Sequence, residues 1–522
     1  MAAVLALASC SLFSGGDEPD EVPEPSLDVP EITILPIPSA VPLGDGRFSL
    51  RYNVHATFNP LIGTDADNML AAGLMYETLF VLNENFEPQP ALCESYTTED
   101  AITYDFTFRE GAYMSDGEPL TAYDIIYSIN MARNNPKYRN RLRNISAVSI
   151  GIGSRVVRIT LKSPDARFPA LLDIAIIKDG TAGLTPRGSG PYRFDGDIEG
   201  IPRLVKNQYY SRADELPLNT IYLVTCRDAE LGERFTERTI DLFVDNPNST
   251  VATVRRDHEI RYYDTTVLQY VGFNPRVAAI DNAAFRAAVA LAVDRSMIVS
   301  DILGTRATEA QLAFPKAYRL YDRTWEQTAM VGDAFIQMSD LLEAIGLADS
   351  NSDTYLEFPV DGEMVPFALD FIVANENQAR VAAARSVAAT LRRAGINILL
   401  RELPFSEFET ALEGGEFDIC YAETRITANF DFSPLIASGG ALNYGGITGF
   451  SGELAAFAAA RGDFAERNAA RELAVRIRDD VPFIPVAYLQ YAVHSGRNEI
   501  TGIIPSQTGV FWSIADWTME IK

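Results

Sequence analysis

The sequence predicts an α/β chain of two lobes, an irregular α+β lobe followed by a doubly wound one. Three observations carry that expectation. The chain has 522 residues, and a single hydrophobic core stops growing at roughly 250–300 residues. Strands and helices before Tyr270 mix without a βαβ rhythm, whereas Leu369–Tyr421 reads β-α-β-α-β, the order of a parallel sheet with helices on both faces. Between them, Tyr270–Arg295 reads as strand, tight connection and helix. Asn274-Pro275 ends the strand, and Asp281 or Asn282 is available as helix cap.

The elements follow in chain order. Met1–Ser9 is apolar and small, and Leu7-Ala8-Ser9-Cys10 has the form of a lipobox, where a bacterial signal peptide is cut and Cys10 is lipidated; no basic n-region precedes it. Residues 11–46 interleave Pro19, Pro23, Pro25, Pro30, Pro36, Pro38 and Pro42 with Asp and Glu. Such a stretch buries too little apolar surface to fold and reads as a tether. Phe48, Leu50 and Tyr52 alternate as a strand, and a helix is expected through Ala71–Leu79. Tyr104, Phe106 and Phe108 alternate again. After the turn Ser115-Asp116-Gly117, Thr121 and Asp124 form a capping box for a helix to about Arg133. Val157, Ile159 and Leu161 mark a strand.

Gly188-Ser189-Gly190-Pro191-Tyr192 lacks Walker spacing and reads as a sharp turn rather than a phosphate loop. Strands are expected at Leu204–Lys206, Thr220–Val224 and Thr239–Val244, with a helix over about Asp228–Arg238, and Thr266–Phe273 follows as a strand. Beyond it, Leu369, Phe371 and Val373 form a strand. Val381, Ala384, Ala388 and Leu391 form one helix face, stopped by Gly395. Ile396–Leu400, Phe405–Glu413 and Asp418–Tyr421 supply strand, helix and strand. Gly439-Gly440 and Gly445-Gly446 flank a loop expected to move, and helices cover Glu453–Ala460 and about Phe464–Asp479. The segments through Trp512 and Trp517 are expected to return to the first lobe, giving two crossings and a hinge. The division is then 1–10, 11–46, 47–267 with 487–522 as lobe I, and 268–486 as lobe II.

Composition narrows the function. The net charge of −27 repels phosphate backbones, so no nucleic acid is expected as partner. No apolar run is long enough to span a bilayer, leaving a lipid anchor as the expected membrane attachment. Cys93, Cys226 and Cys420 are too widely spaced for a disulfide framework or zinc motif and are expected to be free. His55, His258 and His494 lie in no metal motif, and no Gly-x-Ser-x-Gly elbow occurs, so no catalytic residue, metal or cofactor is assigned. In doubly wound sheets ligands lie beyond the carboxyl ends of the strands. That rule selects Tyr421, Glu423, Arg425, Thr427, Asn429, Phe430 and Asp431, with Tyr270 and Asn274 near the crossing. A few polar groups among aromatics suit a ligand pocket; the competing reading is a solvated loop, with Asn274 as a turn former.

Together, Tyr76–Phe80, Pro90–Tyr96, Tyr104–Asp124, Gly188–Tyr192 and Gly272–Pro275 with Phe285–Arg295 resemble the bacterial extracellular solute-binding proteins of family 5, the oligopeptide-, dipeptide- and nickel-binding lipoproteins of ABC importers. The likeness runs from about Arg47 to Pro485. It implies a two-lobed periplasmic-binding-protein fold, with an extra subdomain in the first lobe at about 80–185. It also implies a monomeric, extracytoplasmic receptor, lipid-anchored to the outer face of the bacterial cytoplasmic membrane, that passes a peptide or other small solute to ABC permease subunits. In peptide-binding members an Ala-Asp-aromatic run holds the ligand ammonium, whereas this chain has Ala428-Asn429-Phe430. Either Glu423 or Asp431 supplies the anion instead, or the ligand is not a free-amino peptide. Two rivals remain: a surface-anchored hydrolase of cell-wall sugars or peptides using a carboxylate pair, and a peptide-sensing signalling receptor. Turnover would mark the first; altered gene expression with uptake unaffected would mark the second.

Overall fold

The computed structural model describes residues 47–198, 201–248, 254–326 and 333–519. The expected lipidation site at Cys10 and the tether lie outside the described residues. No helix among the described residues is long and apolar enough to cross a membrane.

One mixed sheet of 11 strands runs through the molecule. The strands that build the candidate site are β1 (Phe48–Arg51), β2 (Thr220–Val224), β3 (Leu242–Asp245), β4 (His258–Phe273), β5 (Leu369–Ala374), β6 (Ile398–Leu403), β7 (Ile419–Arg425) and β8 (Phe483–Gly496). Their order is β6-β5-β7-β4-β8-β3-β1-β2, continued by Ile201–Lys206 and Tyr192–Ile198. β5 is parallel to both β6 and β7. The intervening helices are α2 (Gln378–Arg393) and α3 (Phe405–Glu413); α1 (Ala283–Leu291) precedes them, and α4 (Ser451–Ala459) and α5 (Asp463–Asp480) follow.

The predicted β-α-β-α-β unit is therefore present, and its residues show why. Phe371 and Val373 pack with α1 and α2, while Ile372 and Ala374 pack with α3 and α5 on the opposite face. A strand covered on both faces needs apolar side chains in both alternating sets. Asn377 caps α2 through Arg380 N, and Gly395 at φ +85° turns the chain after it, a backbone region glycine enters without steric cost. Asn282, one of the two residues expected to cap α1, does so.

A separate core contains Phe48, Leu50, Tyr104, Phe106, Ile159 and Leu223. It also takes in Val493, Ile500, Phe511 and Trp517, so the C-terminal segment packs with the first part of the chain. The four-stranded antiparallel sheet of Cys93–Thr97, Thr103–Phe108, Ile145–Ile150 and Val156–Leu161 lies against that core. Thr121 N donates to Asp124 Oδ2 at 2.7 Å, the reciprocal bond of the expected capping box.

β4 and β8 are the two long crossing strands. Between the pairs Asp264–Gln490 and Leu268–Tyr488, the residues Thr265, Thr266 and Val267 stand opposite Leu489 alone. This bulge bends the ladder. Gln507 Oε1 accepts from Thr266 N at 2.5 Å, and Thr265 Oγ1 donates to Leu489 O. Pro485 falls at a second register shift, opposite Tyr270, where a missing N–H costs least.

Three local expectations are corrected. The first helix is Ala66–Ala72, not Ala71–Leu79: Asp65 caps it, and Leu74, Met75, Tyr76 and Leu79 run on as buried non-helical chain. The helix expected over Asp228–Arg238 is a 3-10 turn, Asp228–Glu230, followed by Leu231–Thr236; Arg238 at φ +62° ends it. Gly188 and Gly190 answer to crowding as well as turning. A Cβ would lie 2.3 Å from Met75 O at the first and 2.4 Å from Met75 C at the second. Gly190 N donates to Met75 O at 3.0 Å, so the glycines serve close backbone approach.

Candidate functional site

β7 leaves the carboxyl end of the parallel strands with Glu423 and Arg425 on the same alternating face as Tyr421. Tyr421 is buried and donates its hydroxyl to Gln269 Oε1 at 2.9 Å. Burial raises the Tyr421 hydroxyl pKa, so it stays a donor. Gln269, itself fully buried in β4, donates to Glu423 Oε2 at 3.2 Å. Asn248, from the segment that follows β3, donates to Glu423 Oε1 at 2.9 Å. Asn377, at the start of α2, donates to Asn248 Oδ1 at 2.6 Å. The Glu423 carboxylate thus ties the first lobe to the second through amide donors. Arg425 is exposed, with its charge close to the Tyr491 side chain.

The loop after β7 meets the first lobe again. Asn429 Nδ2 donates to Asp165 Oδ2 at 2.8 Å, and Arg167 Nε donates to the Asn429 carbonyl at 3.1 Å. Arg167 lies 3.5 Å from the centre of the Phe457 ring, a cation–π contact, and Ala166 N donates to Ala458 O at 2.8 Å. Asp431 pairs with Arg143 at 2.6 Å and accepts from Ser433 N at 2.9 Å. Burial pushes the Asp165 carboxyl pKa up, opposed by the nearby Arg167 charge and the Asn429 bond. Burial lowers the Arg167 pKa in turn.

Several buried polar atoms at this seam have no hydrogen-bond partner among the described residues: Arg167 Nη1, Tyr318 OH, Thr427 Oγ1 and Asn429 Oδ1. Buried polar groups are nearly always paired, so a cluster of exceptions asks for a cause. Phe430, at φ +56°, is fully buried 4.3 Å from the Tyr318 ring. It also meets Phe86, the tip of the hairpin Phe80–Leu82/Pro88–Pro90, at 5.8 Å. Phe86 is held at φ +63°. Both aromatics thus adopt a left-handed backbone that L residues avoid, and such strain persists where surrounding contacts over-determine it.

The structure brings Tyr421, Glu423, Arg425, Thr427, Asn429, Phe430 and Asp431 to this seam, and it does not bring Tyr270 or Asn274. Tyr270 points to the opposite face of the sheet, where it packs on Phe483 and lines a small apolar recess with Phe417, Cys420 and Tyr444. Asn274 lies past the far end of β4 and donates to Gly415 O at 3.0 Å, the work of a turn former. Sequence reasoning missed Asp165, Arg167, Asn248, Gln269 and Asn377. A glutamine inside an apolar strand was a signal for Gln269, and the carboxyl-end rule covers Asn377; the other three carry no local signature. Cys93, Cys226 and Cys420 are free. Among the described residues one carboxylate group, Asp349, Asp353 and Glu357, has metal-like spacing, but its oxygens accept from N–H groups of its own loop.

Comparison with known proteins places this geometry. The chain is 28% identical over 288 residues to Protein XP55 of Streptomyces lividans, covering 52% of each. It is 23% identical over 318 residues to the oligopeptide-binding protein OppA of Bacillus subtilis (strain 168), covering 53% of this chain and 58% of that one. The chain thus spans about half the length of the curated relatives it matches. The fold is that of the oligopeptide-binding protein AppA from Bacillus subtilis, solved in complex with a nonapeptide. The TM-score is 0.65 at 19% identity, over 92% of this chain and 100% of that one. Residues 87–439 match the sequence profile of the bacterial extracellular solute-binding proteins, family 5, a family of binding proteins and not of enzymes, and the chain belongs to it.

Proposed function

We propose that the protein is the substrate-binding component of an ABC importer. It captures a peptide or peptide-like solute between its lobes and delivers it to the permease. The observation that carries this reading is the seam itself. Donors and acceptors from both lobes converge beyond the carboxyl ends of β5, β6 and β7, beside a bulge in the two crossing strands. A ligand shifts an open–closed equilibrium only by its differential affinity for the two states, and a ligand that touches both lobes has that difference. In this reading the two lobes, as divided above, are the two moving bodies. Lipidation at Cys10 and extracytoplasmic placement complete the reading, with the receptor acting as a monomer. Two relatives support the solute class: OppA is an oligopeptide-binding protein and AppA was solved with a nonapeptide. Native mass spectrometry of the purified chain, followed by denaturation, tests it. The expected result is a one-to-one complex releasing an unmodified peptide; a released sugar or metal complex would overturn the peptide assignment.

A further inference from the structure

At the bulge in β4, Thr266 is fully buried and bonded to two distant parts of the chain. Its carbonyl accepts from Ile426 N at 2.9 Å, and its hydroxyl donates to Ile426 O. In an ordinary antiparallel pair the Thr266 N–H would make that second bond. Here the N–H donates to Gln507 Oε1 instead, at 2.5 Å. Ile426 opens the loop that brings Thr427, Asn429, Phe430 and Asp431 to the seam. Gln507 lies in the C-terminal segment, between Ile503 and Val510, which pack in the first core.

Gln507 is presented by a loop closed on itself, in which Ser506 N and Gly509 N each donate to the other's carbonyl at 3.1 Å. The next residue, Thr508, accepts from Leu82 N at 2.8 Å and donates to Asp173 Oδ2 at 3.4 Å, and Asp173 is paired with Arg141. Leu82 belongs to the hairpin whose tip sets Phe86 against Phe430, and its own side chain is fully buried with Ala170 and Ala428. The contacts therefore close a ring, from Thr266 to Ile426, along the loop to Ala428, across to Leu82, through Thr508 to Gln507 and back to Thr266. Bulges bend a strand locally, and a hinge concentrates its motion in a few such residues. A bend at Thr266 pulls on Gln507 on one side and on Ile426 on the other.

We propose that Gln507 and Thr508 form a brace that couples the bend at the Thr266 bulge to the seam loop 426–431, so that closing the lobes and ordering that loop are one step. Gln507 is a positioning residue: it acts through Thr266 and touches no solute. The inference rests on the division into two lobes made above and is independent of which solute is bound.

The test follows hydrogen exchange by mass spectrometry in the full chain at rising, sub-denaturing urea. In the unaltered chain the segments holding Thr266, Leu82 and Ile426 are expected to open along one common isotherm, as members of one cooperative unit do; three separate isotherms would overturn the inference. Gln507→Met keeps the length of the side chain and removes its acceptor. It is expected to speed exchange at Ile426 and Phe430 roughly fivefold while leaving β5 unchanged, whereas Gln507→Glu, which keeps an acceptor, stays within about twofold of the unaltered chain. Faster exchange at Thr266 alone would make Gln507 a local cap and sink the coupling. Small-angle scattering is expected to show a wider separation of the lobes for Gln507→Met than for Gln507→Glu, and identical profiles would count against the brace. The isotherms of the unaltered chain decide the matter even if a variant does not fold. A peptide released in native mass spectrometry beside separate isotherms leaves the peptide reading standing without this inference; a common isotherm beside a released sugar does the reverse.

Discussion

Truncating Phe86 should loosen closure more than it loosens either lobe. The residue sits on a hairpin anchored to the first core through Phe80, yet its ring is 3% exposed within the second lobe's aromatic cluster of Phe314, Tyr318 and Phe430. A phenylalanine buries about 150–250 Å², which at about 25 cal/mol/Å² is about 4–6 kcal/mol as an upper figure; phenylalanine-to-alanine changes in cores cost about 3–5 kcal/mol. Alanine keeps a Cβ, so the positive φ remains as costly as before and offsets nothing. Because the contact spans the seam, about 2–3 kcal/mol of the loss should fall on the open–closed equilibrium. That corresponds to a roughly 30- to 150-fold weaker apparent affinity if the open form dominates without ligand, at 1.4 kcal/mol per factor of ten. The assay is calorimetry with the solute recovered from the native protein, together with small-angle scattering of the liganded state. A Phe86→Ala protein that binds within threefold of the unaltered chain and scatters identically would refute the reasoning.

Four further outcomes are expected. Gln269→Leu removes the acceptor of Tyr421 OH and a donor to Glu423. It should lower stability by about 1–3 kcal/mol, read by denaturant unfolding, whereas Tyr421→Phe in the same background should cost little more. Gly190→Ala forces a methyl onto the Met75 carbonyl carbon at 2.4 Å, and its melting temperature should drop by several degrees, more than for Gly183→Ala, where nothing lies within 4 Å.

His494 is stacked 4.4 Å from Phe243, neither ring nitrogen has a hydrogen bond although Nε2 lies 4.0 Å from Asp245 Oδ2, and burial pushes its pKa down to about 4. Both folded and unfolded forms are neutral above about 6.5; below that the unfolded chain binds the proton first, so stability falls by about 2–3 kcal/mol between pH 6.5 and 4. His494→Phe should flatten that limb of the stability curve. Asp241 has the opposite sign. Burial raises its pKa to about 7, so the stability it contributes in the protonated state is lost as pH rises from about 4 to 7, and Asp241→Asn should be the more stable protein at pH 8.

The parallel unit of the second lobe was legible because each of its elements carries its own periodicity. Phe371 and Val373 alternate with Ile372 and Ala374, Val381 to Leu391 recur at helical spacing, and Gly395 stops the helix. The position of the seam was legible for the same reason, since the ends of parallel strands follow from strand order. Tyr270 was misplaced because alternate residues of a strand covered on both faces look alike in sequence. Nothing local distinguishes the face that carries Gln269 and Glu423 from the one that carries Tyr270 and Phe483.

By itself, then, the sequence determined the doubly wound sheet and the seven residues from Tyr421 to Asp431 that reach the seam. Only the tertiary structure decided what faces them. Asp165 reaches Asn429 across 264 positions of chain, and Asn248 reaches Glu423 across 175. Periodicity acts over a few turns or strand residues, whereas the pairing at the seam depends on which long-range neighbours the two crossing strands bring together.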